Sequence, residues 1–400
     1  MAQKSILIIN RVYPPHYGAT GRMASDLAKH LAAQGWDVQV LATGEKSARY
    51  EDQGVHVRTI KAKPLRRSWM GYCLVWIRLF LAALGAKKTS VVITLTDPPL
   101  LIFVGAIVAK LKRAKHVHWC HDVYPDLLPL FGVRLPRFVM RALHKASRRR
   151  MSKCAQIVAI GRCMSKRLAM TGVEQSNIRI IPNWSDPNIF TPADHTLPLM
   201  KPKAQMPENM FRDDSPKFRI LYAGNIGKAH EVDMFLKAAE ALHDHKEIEF
   251  VFVGTSEGHD RLADERAKMG LDNMKFMPYQ PAPYLRTILE SGDLHLVSMK
   301  DDMAGLLVPC KFYAALAVGR PTLFLGPQKS EIGKVIETYK AGKIVSVHSA
   351  DKLVKGILEY RHDGSAWFAA QQGAIEAGKL YNPPASFALW DETLKSVMKL

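Results

Sequence analysis

Two runs of alternating strands and helices, separated by a stretch rich in proline and polar residues, constrain the fold of this 400-residue chain more than any other feature. The first run begins with an apolar strand at 5–10, a glycine-containing loop, a helix at 22–35 and a second strand at 36–44. Strands that alternate with helices at this spacing form parallel, doubly wound sheets. The sequence therefore predicts an α/β protein with two Rossmann-like, doubly wound domains that face a central cleft.

The break in the alternation gives the predicted domain boundaries. Residues 1–191 form the N-terminal domain, 192–216 the linker and 217–378 the C-terminal domain, which leaves 379–400 as a final segment. An apolar fraction of 48% is typical of a globular protein, and no window holds the roughly 18 uncharged apolar residues that would span a bilayer. Because the N-terminus lacks the pattern of a secretory signal, we expect a cytosolic chain.

A formal net charge of +19 indicates an anionic partner: nucleic acid, acidic lipid or a phosphorylated ligand. No helix-turn-helix, aromatic RNA platform or zinc module accompanies the charge, which argues against nucleic acid. The five cysteines are scattered and include no Cys-x-x-Cys pair, so neither a disulfide framework nor a zinc site is predicted.

Basic residues flank the apolar segment 68–86, in which Trp69, Tyr72, Trp76 and Phe80 recur at near-helical spacing. The pattern is typical of an interfacial helix beside anionic lipid, and an ordinary buried helix with a basic surface is the alternative. We interpret a second apolar run, at 99–115, as a core helix. The basic cluster at 134–150 is either a lipid-facing or a solvated surface.

Glycines follow a strand and precede a helix at two places, where backbone amides and the helix dipole favour a phosphate. Gly18 and Gly21 occupy the first place, and the alternative there is a simple tight turn. The second place is the run Gly224-Asn225-Ile226-Gly227-Lys228, for which a plain loop with a solvated lysine is the alternative. Lys311 begins a later helix and is placed to supply a further cation to a leaving diphosphate.

The order of these motifs resembles that of the family 4 glycosyltransferases of the GT-B fold, over nearly the whole chain. Within the family the chain is most similar to enzymes that build bacterial surface polysaccharides on a lipid carrier. The motifs that carry the resemblance are Pro14-Pro15 with Gly18 and Gly21, His121-Asp122-Val123-Tyr124-Pro125-Asp126, Ile181-Pro182-Asn183-Trp184-Ser185-Asp186, Ala223-Gly224-Asn225-Ile226-Gly227, Phe252-Val253-Gly254, Gly292-Asp293, and Val308-Pro309-Cys310-Lys311-Phe312-Tyr313 leading to Gly319-Arg320-Pro321.

The resemblance implies a nucleotide-sugar donor site in the C-terminal domain and an acceptor site in the N-terminal domain, to which segment 379–400 would cross back. It implies catalytic roles for His121, Lys228 and Lys311, with His121 contacting the donor sugar and sharing charge in the transition state. Further donor-binding candidates are Gly18, Gly21, Gly224, Asn225, Gly227 and Glu331. The acceptor-side candidates are Tyr13, His16, Tyr17, Asp122 and Asn183.

The chain departs from the family where a pair of glutamates usually accompanies the Val-Pro-x-Lys segment, because those positions are Leu306 and Ala314. Glu331, or Asp301 and Asp302, could substitute for them. The sequence contains no Asp-x-Asp triplet, so we expect a donor site without metal or other cofactor, and a UDP-sugar is favoured over a GDP-sugar.

The reaction implied by the resemblance is transfer with retention of configuration to a lipid-linked or membrane-associated acceptor. It implies an enzyme that lies peripherally on the inner face of the cytoplasmic membrane. A catalytically degenerate binding or scaffold protein with the same fold is the alternative that the missing glutamates suggest.

Overall fold

The structure, a computed structural model, describes residues 4–15, 18–62, 69–189 and 217–399. The chain divides into two compact units, the first made of Met1–Pro182, Gly305–Leu307 and Ser386–Leu400, and the second of Asn183–Ala304 and Val308–Ala385. The predicted linker 192–216 and the acceptor-side candidates His16 and Tyr17 lie outside the described residues.

The first unit contains an eight-stranded sheet in the order β3-β4-β2-β1-β5-β6-β7-β8. Its strands are β1 Ser5–Ile9, β2 Asp37–Gly44, β3 Ala48–Asp52, β4 Val55–Lys61, β5 Val91–Thr94, β6 Lys115–Cys120, β7 Gln156–Ala159 and β8 Ile178–Ile180. Its helices between strands are α1 Ala19–Ala33, α2 Trp69–Leu84, α3 Ile102–Lys112, α4 Arg137–Met151 and α5 Arg162–Met170. The predicted doubly wound α/β architecture is confirmed for this unit.

Strand β3 is an antiparallel edge strand that the sequence did not predict. It pairs with β4 in antiparallel register, whereas all other neighbouring strands of this sheet are parallel. The residues of β3 are nearly all exposed, so the strand has no apolar run of its own. A prediction that relies on buried apolar runs therefore misses it.

One face of the first sheet packs against α2 and α3. Val75 and Leu79 of α2 and Val104 and Val108 of α3 are buried in one cluster with strand residues such as Leu7. An α-helix with this much buried apolar surface is held by the core rather than by its own propensity. The interpretation of 99–115 as a core helix is consistent with this packing.

The second unit contains a six-stranded, all-parallel sheet in the order β11-β10-β9-β12-β13-β14. Its strands are β9 Phe218–Ala223, β10 Ile248–Val253, β11 Met274–Met277, β12 Leu294–Ser298, β13 Thr322–Leu325 and β14 Gly342–Val345. Its helices are α6 Asp233–Ala241, α7 Glu257–Met269, α8 Leu285–Ser291, α9 Lys311–Ala317, α10 Glu331–Tyr339, α11 Ala350–His362 and α12 Gly364–Gly378. Tyr222, Phe235, Phe250 and Phe252 are fully buried in its core.

The last helix, α13 Pro383–Met398, leads from the second unit into the first, to which the chain belongs from Ser386 onward. Trp390 is buried, with its ring centroid 4.8 Å from that of Trp119. The His30 ring stacks on Phe387 at 4.4 Å, and its Nε2 lies 3.1 Å from the Asp391 carboxylate. The C-terminal residues are therefore part of the core of the first unit.

Candidate functional site

The carboxyl ends of β9 and β10 form a shallow cradle in the second unit. Gly224 and Gly254 follow these strands with φ angles of 117° and 154°, which are strained for any other residue. A Cβ atom on Gly224 would lie 3.0 Å from the Cε atom of Lys311, so the missing side chain leaves room for the lysine stem. Ligands of parallel α/β sheets bind at this edge.

The ammonium group of Lys311 is the central feature of the cradle. Its Nζ atom lies 5.0 Å from the ring centroid of the buried Tyr222 and 3.2 Å from Nε2 of His230. Burial lowers the pKa of Lys311 from 10.5 to about 8. The lysine is therefore mostly charged at pH 7, and its charge is only partly hydrated, which strengthens its interaction with an anion.

Two histidines that the sequence did not single out, His230 and His259, lie next to this lysine. Burial and the Lys311 charge lower the pKa of His230 to about 3 and that of His259 to about 4, so both rings are neutral at pH 7. Nδ1 of His259 hydrogen bonds with Ser256 Oγ at 2.9 Å, and the same hydroxyl accepts from the Ile226 N–H at 3.2 Å. The cradle thus combines the Lys311 ammonium with neutral hydrogen-bonding groups.

The predicted donor residues lie at this edge with different exposures. Asn225, Gly227 and Lys228 are exposed in the loop after β9, whereas Lys311 is half-buried. Glu331 is buried at the first residue of α10, whose N-terminus is capped by Ser330. In the part of the chain that the structure describes, no group of three or more His, Cys, Asp or Glu side chains is placed to hold a metal ion.

In the first unit, polar side chains gather at the carboxyl ends of β1, β5 and β6. Arg11 forms a bidentate ion pair with Asp97, with N–O distances of 2.6 and 2.8 Å. Thr96 donates a hydrogen bond of 3.0 Å to Asp122. Burial raises the pKa of Asp122 to about 6 although this hydrogen bond opposes the shift. The structure thus adds Arg11, Thr96 and Asp97 to the predicted Asp122.

His121 is buried directly after β6, and its Nε2 atom has no hydrogen-bond partner among the described residues. Its ring lies 4.7 Å from the ring of Trp119. Burial, with a contribution from His118, lowers the pKa of His121 to about 3. The ring is therefore neutral at pH 7 and offers a hydrogen bond rather than a positive charge.

Three other predicted residues have structural contacts. Tyr13 is buried, and its hydroxyl donates to Asp52 at 3.2 Å. Gly21 packs on the preceding loop, where a Cβ atom would lie 2.9 Å from the Val12 carbonyl oxygen. Gly18 precedes α1 and lies in the same unit.

Asn183, predicted on the acceptor side, lies in the second unit. Its Nδ2 atom is 3.2 Å from Sγ of Cys310, the residue before Lys311. Asn183 is fully buried and its Oδ1 atom has no partner among the described residues. Asn183 therefore belongs to the same unit as Lys311 and contacts the residue before it.

Two family models match the chain, a glycosyl transferase 4-like domain over residues 18–184 and a glycosyl transferases group 1 domain over residues 217–363. A curated relative, the putative colanic acid biosynthesis glycosyl transferase WcaI of Escherichia coli (strain K12), is 28% identical over 382 residues, which is 88% of this chain and 91% of the relative.

Solved glycosyltransferase structures share the fold at low identity. Sucrose-phosphate synthase of Thermosynechococcus elongatus superposes with a TM-score of 0.76 at 14% identity, covering 99% of this chain and 100% of that chain. Anabaena HepE in complex with UDP-glucose superposes with a TM-score of 0.70 at 14% identity, covering 98% and 99%. These likenesses extend over both units.

Proposed function

We propose that this chain, which belongs to the family 4 glycosyltransferases and has the GT-B fold, transfers a sugar from a UDP-sugar to a lipid-linked acceptor in surface polysaccharide synthesis. Transfer proceeds with retention of configuration, without a metal ion, at the inner face of the cytoplasmic membrane. The single observation that carries the donor half of the proposal is the half-buried Lys311 ammonium, beside Tyr222 and His230, at the carboxyl edge of the second sheet.

The donor site has the chemistry that a departing diphosphate requires. The Lys311 ammonium neutralises charge on the leaving group. The exposed loop residues Asn225, Gly227 and Lys228 offer backbone amides to phosphate oxygens, the Gly227 amide in exchange for the hydrogen bond that it donates to His230. His230 and His259 beside Lys311 are neutral at pH 7, so they add no positive charge to that of the lysine. A UDP-sugar is the favoured donor, in line with the UDP-glucose that Anabaena HepE binds.

The acceptor half is supported by an exposed apolar face on the first unit. On α2, Leu74, Ile77, Leu81 and Leu84 are spaced three or four residues apart and are 38–60% exposed. Trp76 and Phe80 instead pack towards the core, and Trp76 donates to the Leu100 carbonyl at 3.4 Å. Of the aromatic residues predicted to contact lipid, Trp76 and Phe80 are therefore partly buried, whereas Tyr72 is 36% exposed beside the aliphatic side chains.

The two helices that follow α2 also carry exposed apolar residues. Leu111 of α3 is 63% exposed and Phe138 of α4 is 72% exposed. Lys112 of α3 reaches the last turn of α2 through a hydrogen bond of 3.2 Å to the Leu84 carbonyl, so the two helices lie side by side. The exposed basic residues of α4 are Arg137, Arg141, Lys145, Arg148, Arg149 and Arg150.

Apolar side chains among arginines and lysines fit the interface of an anionic bilayer, where apolar groups enter the headgroup region and cations neutralise lipid phosphates. No helix among the described residues combines the length and apolarity needed to cross a bilayer. We infer that the chain docks on the membrane through the helical face formed by α2, α3 and α4.

The double variant Ile77→Glu/Leu81→Glu is expected to bind anionic vesicles at least about tenfold more weakly than the wild type. It removes two aliphatic groups from the interface and adds charges that the lipid repels. Sedimentation with vesicles of phosphatidylglycerol and phosphatidylethanolamine measures the effect. The matched control is Phe368→Glu/Leu380→Glu, which changes two exposed apolar residues of the second unit. If both double variants bound the vesicles equally, the proposed membrane role of α2 would be contradicted.

The reaction itself is tested with UDP- and GDP-sugars and a polyprenyl-diphosphate sugar acceptor, with and without EDTA. We expect transfer from a UDP-sugar at an unchanged rate in EDTA, and NMR of the product should show the donor's anomeric configuration. Loss of transfer in EDTA would contradict the metal-free site. Nucleotide binding without transfer or donor hydrolysis, tested with several acceptors, would favour the degenerate binding protein.

A further inference from the structure

The ring of His230 lies between the Lys311 ammonium and the peptide of Gly227. Its Nε2 atom is 3.2 Å from Lys311 Nζ. The Gly227 N–H points at the ring's Nδ1 atom at 2.9 Å, in position to donate a hydrogen bond, and Nδ1 is also 3.2 Å from the Gly227 carbonyl oxygen. The ring also meets Tyr222 edge-on, with 6.4 Å between centroids. One side chain therefore contacts both a cation and an amide that the donor site offers to phosphate.

The ring is neutral over the working pH range, because burial and the nearby cations lower its pKa to about 3. The charged groups that face it are Lys311 and Lys300, and the neutral His259 lies on the same side. A neutral imidazole has one N–H and one acceptor nitrogen, so only one of its two nitrogens accepts a hydrogen bond at a time.

Two arrangements satisfy this condition, and each belongs to one protonation state of Lys311. When the lysine is an ammonium, Nε2 must accept from it, the proton resides on Nδ1, and Nδ1 donates to the Gly227 carbonyl. The Gly227 N–H is then left without an acceptor in the ring. When the lysine is a neutral amine, Nε2 donates to Nζ and Nδ1 accepts from the Gly227 N–H.

We propose that His230 is a positioning residue that couples the protonation of Lys311 to the availability of the Gly227 amide by changing its tautomer. In the charged state the ammonium is oriented by Nε2, and the Gly227 N–H, left without an acceptor in the ring, gains one in an incoming diphosphate. When the lysine is a neutral amine, its positive charge is lost and the Gly227 N–H is bound to Nδ1 of the ring. This inference rests on the proposed donor function of the cradle, but the tautomer change is a property of the free protein.

The tautomer change is tested by ¹⁵N NMR of the free protein with labelled histidine, in which His230 is assigned by its absence in His230→Gln. We expect a proton on Nδ1 at pH 7 and on Nε2 at pH 9.5, with a midpoint near the Lys311 pKa of about 8. In Lys311→Met the proton should lie on Nε2 at both pH values. Without the ammonium, the hydrogen bond from the Gly227 N–H keeps Nδ1 as the acceptor nitrogen. A wild-type ring with the same tautomer at both pH values would overturn the proposal.

The consequence for binding is tested by calorimetry with UDP at pH 7. Glutamine places its amide near the Nε2 position and keeps the contact to Lys311, whereas asparagine reaches only the Nδ1 position. We expect His230→Gln to retain the wild-type Kd within about threefold, and His230→Asn and His230→Ala to weaken UDP about tenfold. Equal Kd values for the glutamine and asparagine variants would overturn the positioning role.

The two measurements separate this inference from the function on which it rests. A wild-type protein that shows the tautomer change but binds no nucleotide would contradict the donor site and keep the coupling of His230 to Lys311. A wild-type protein that binds UDP but keeps one tautomer would keep the donor site and contradict the coupling. Thermal unfolding of each variant shows whether a change in Kd reflects the fold instead.

Discussion

Replacing Lys311 with methionine is expected to lower kcat for sugar transfer by about 100- to 1,000-fold. A preorganised, partly desolvated donor of positive charge contributes about this much when charge develops on a leaving group. Methionine keeps an unbranched stem for the space beside Gly224 and removes only the ammonium. Initial rates at saturating donor and acceptor measure kcat. The matched control is Lys228→Met, which removes an exposed lysine of the loop after β9. It should lower kcat by no more than about tenfold.

The variant Lys311→Met should also be more stable than the wild type at neutral pH. The folded-state pKa of Lys311, about 8, is below its ordinary value of 10.5, so the unfolded chain binds more protons between these values. Burying the charged form therefore costs free energy at pH 7, on the order of 1 to 3 kcal/mol after allowance for residual solvent contact.

Calorimetric melting curves at several pH values check this sign. The Tm of Lys311→Met should exceed that of the wild type by several degrees at pH 7. The difference should shrink as the pH rises from 8 to 10.5, because the wild-type lysine then loses its charge in both states. A variant that loses stability together with activity would show that Lys311 holds the fold and would contradict its assignment as a charge kept for the donor.

Elements with long apolar runs were predictable from the sequence, because burial leaves a local pattern. The core helix expected in the apolar run 99–115 is α3 Ile102–Lys112, and the later helix expected to begin at Lys311 is α9 Lys311–Ala317. The sequence predicted helix α2, but it did not predict which side of the helix faces the core. Its residues are apolar around most of its circumference, so the spacing of Trp76 and Phe80 places them together without showing which face the core covers.

The polar contacts of the site were less predictable, because they join residues far apart in the chain. Arg11 and Asp97 meet because β1 and β5 are neighbours in the sheet, and Thr96 meets Asp122 because β5 and β6 are neighbours. No local sequence pattern predicts the order of the strands in the sheet. His230 was also overlooked, since its role depends on the distance to Lys311, 81 residues later. By contrast, Gly224 and Lys311 were identified from a motif, and the structure brings them into contact.

Replacing His121 with alanine is expected to lower kcat about 100-fold, while glutamine at this position should recover all but about tenfold. The imidazole is neutral because burial lowers its pKa to about 3, and its free Nε2 atom can hydrogen bond with a sugar hydroxyl. A neutral amide can replace a neutral ring in such a contact but could not replace a cation. Of the two roles that the resemblance implies for His121, orienting a sugar hydroxyl and sharing charge in the transition state, we therefore predict the first.

The pH dependence of kcat distinguishes these roles. Asp122, with its pKa raised to about 6, should give a loss of rate as the pH falls through 6, since a protonated carboxyl is a weaker hydrogen-bond acceptor and cannot take a proton from an acceptor hydroxyl. Lys311 should give a loss as the pH rises through about 8. His121→Ala should keep both limbs at the same pH values, because the missing ring does not titrate between them, and Asp122→Asn should remove the acidic limb alone. An acidic limb that persists in Asp122→Asn but disappears in His121→Ala would assign it to His121 and restore a charged imidazole to the mechanism.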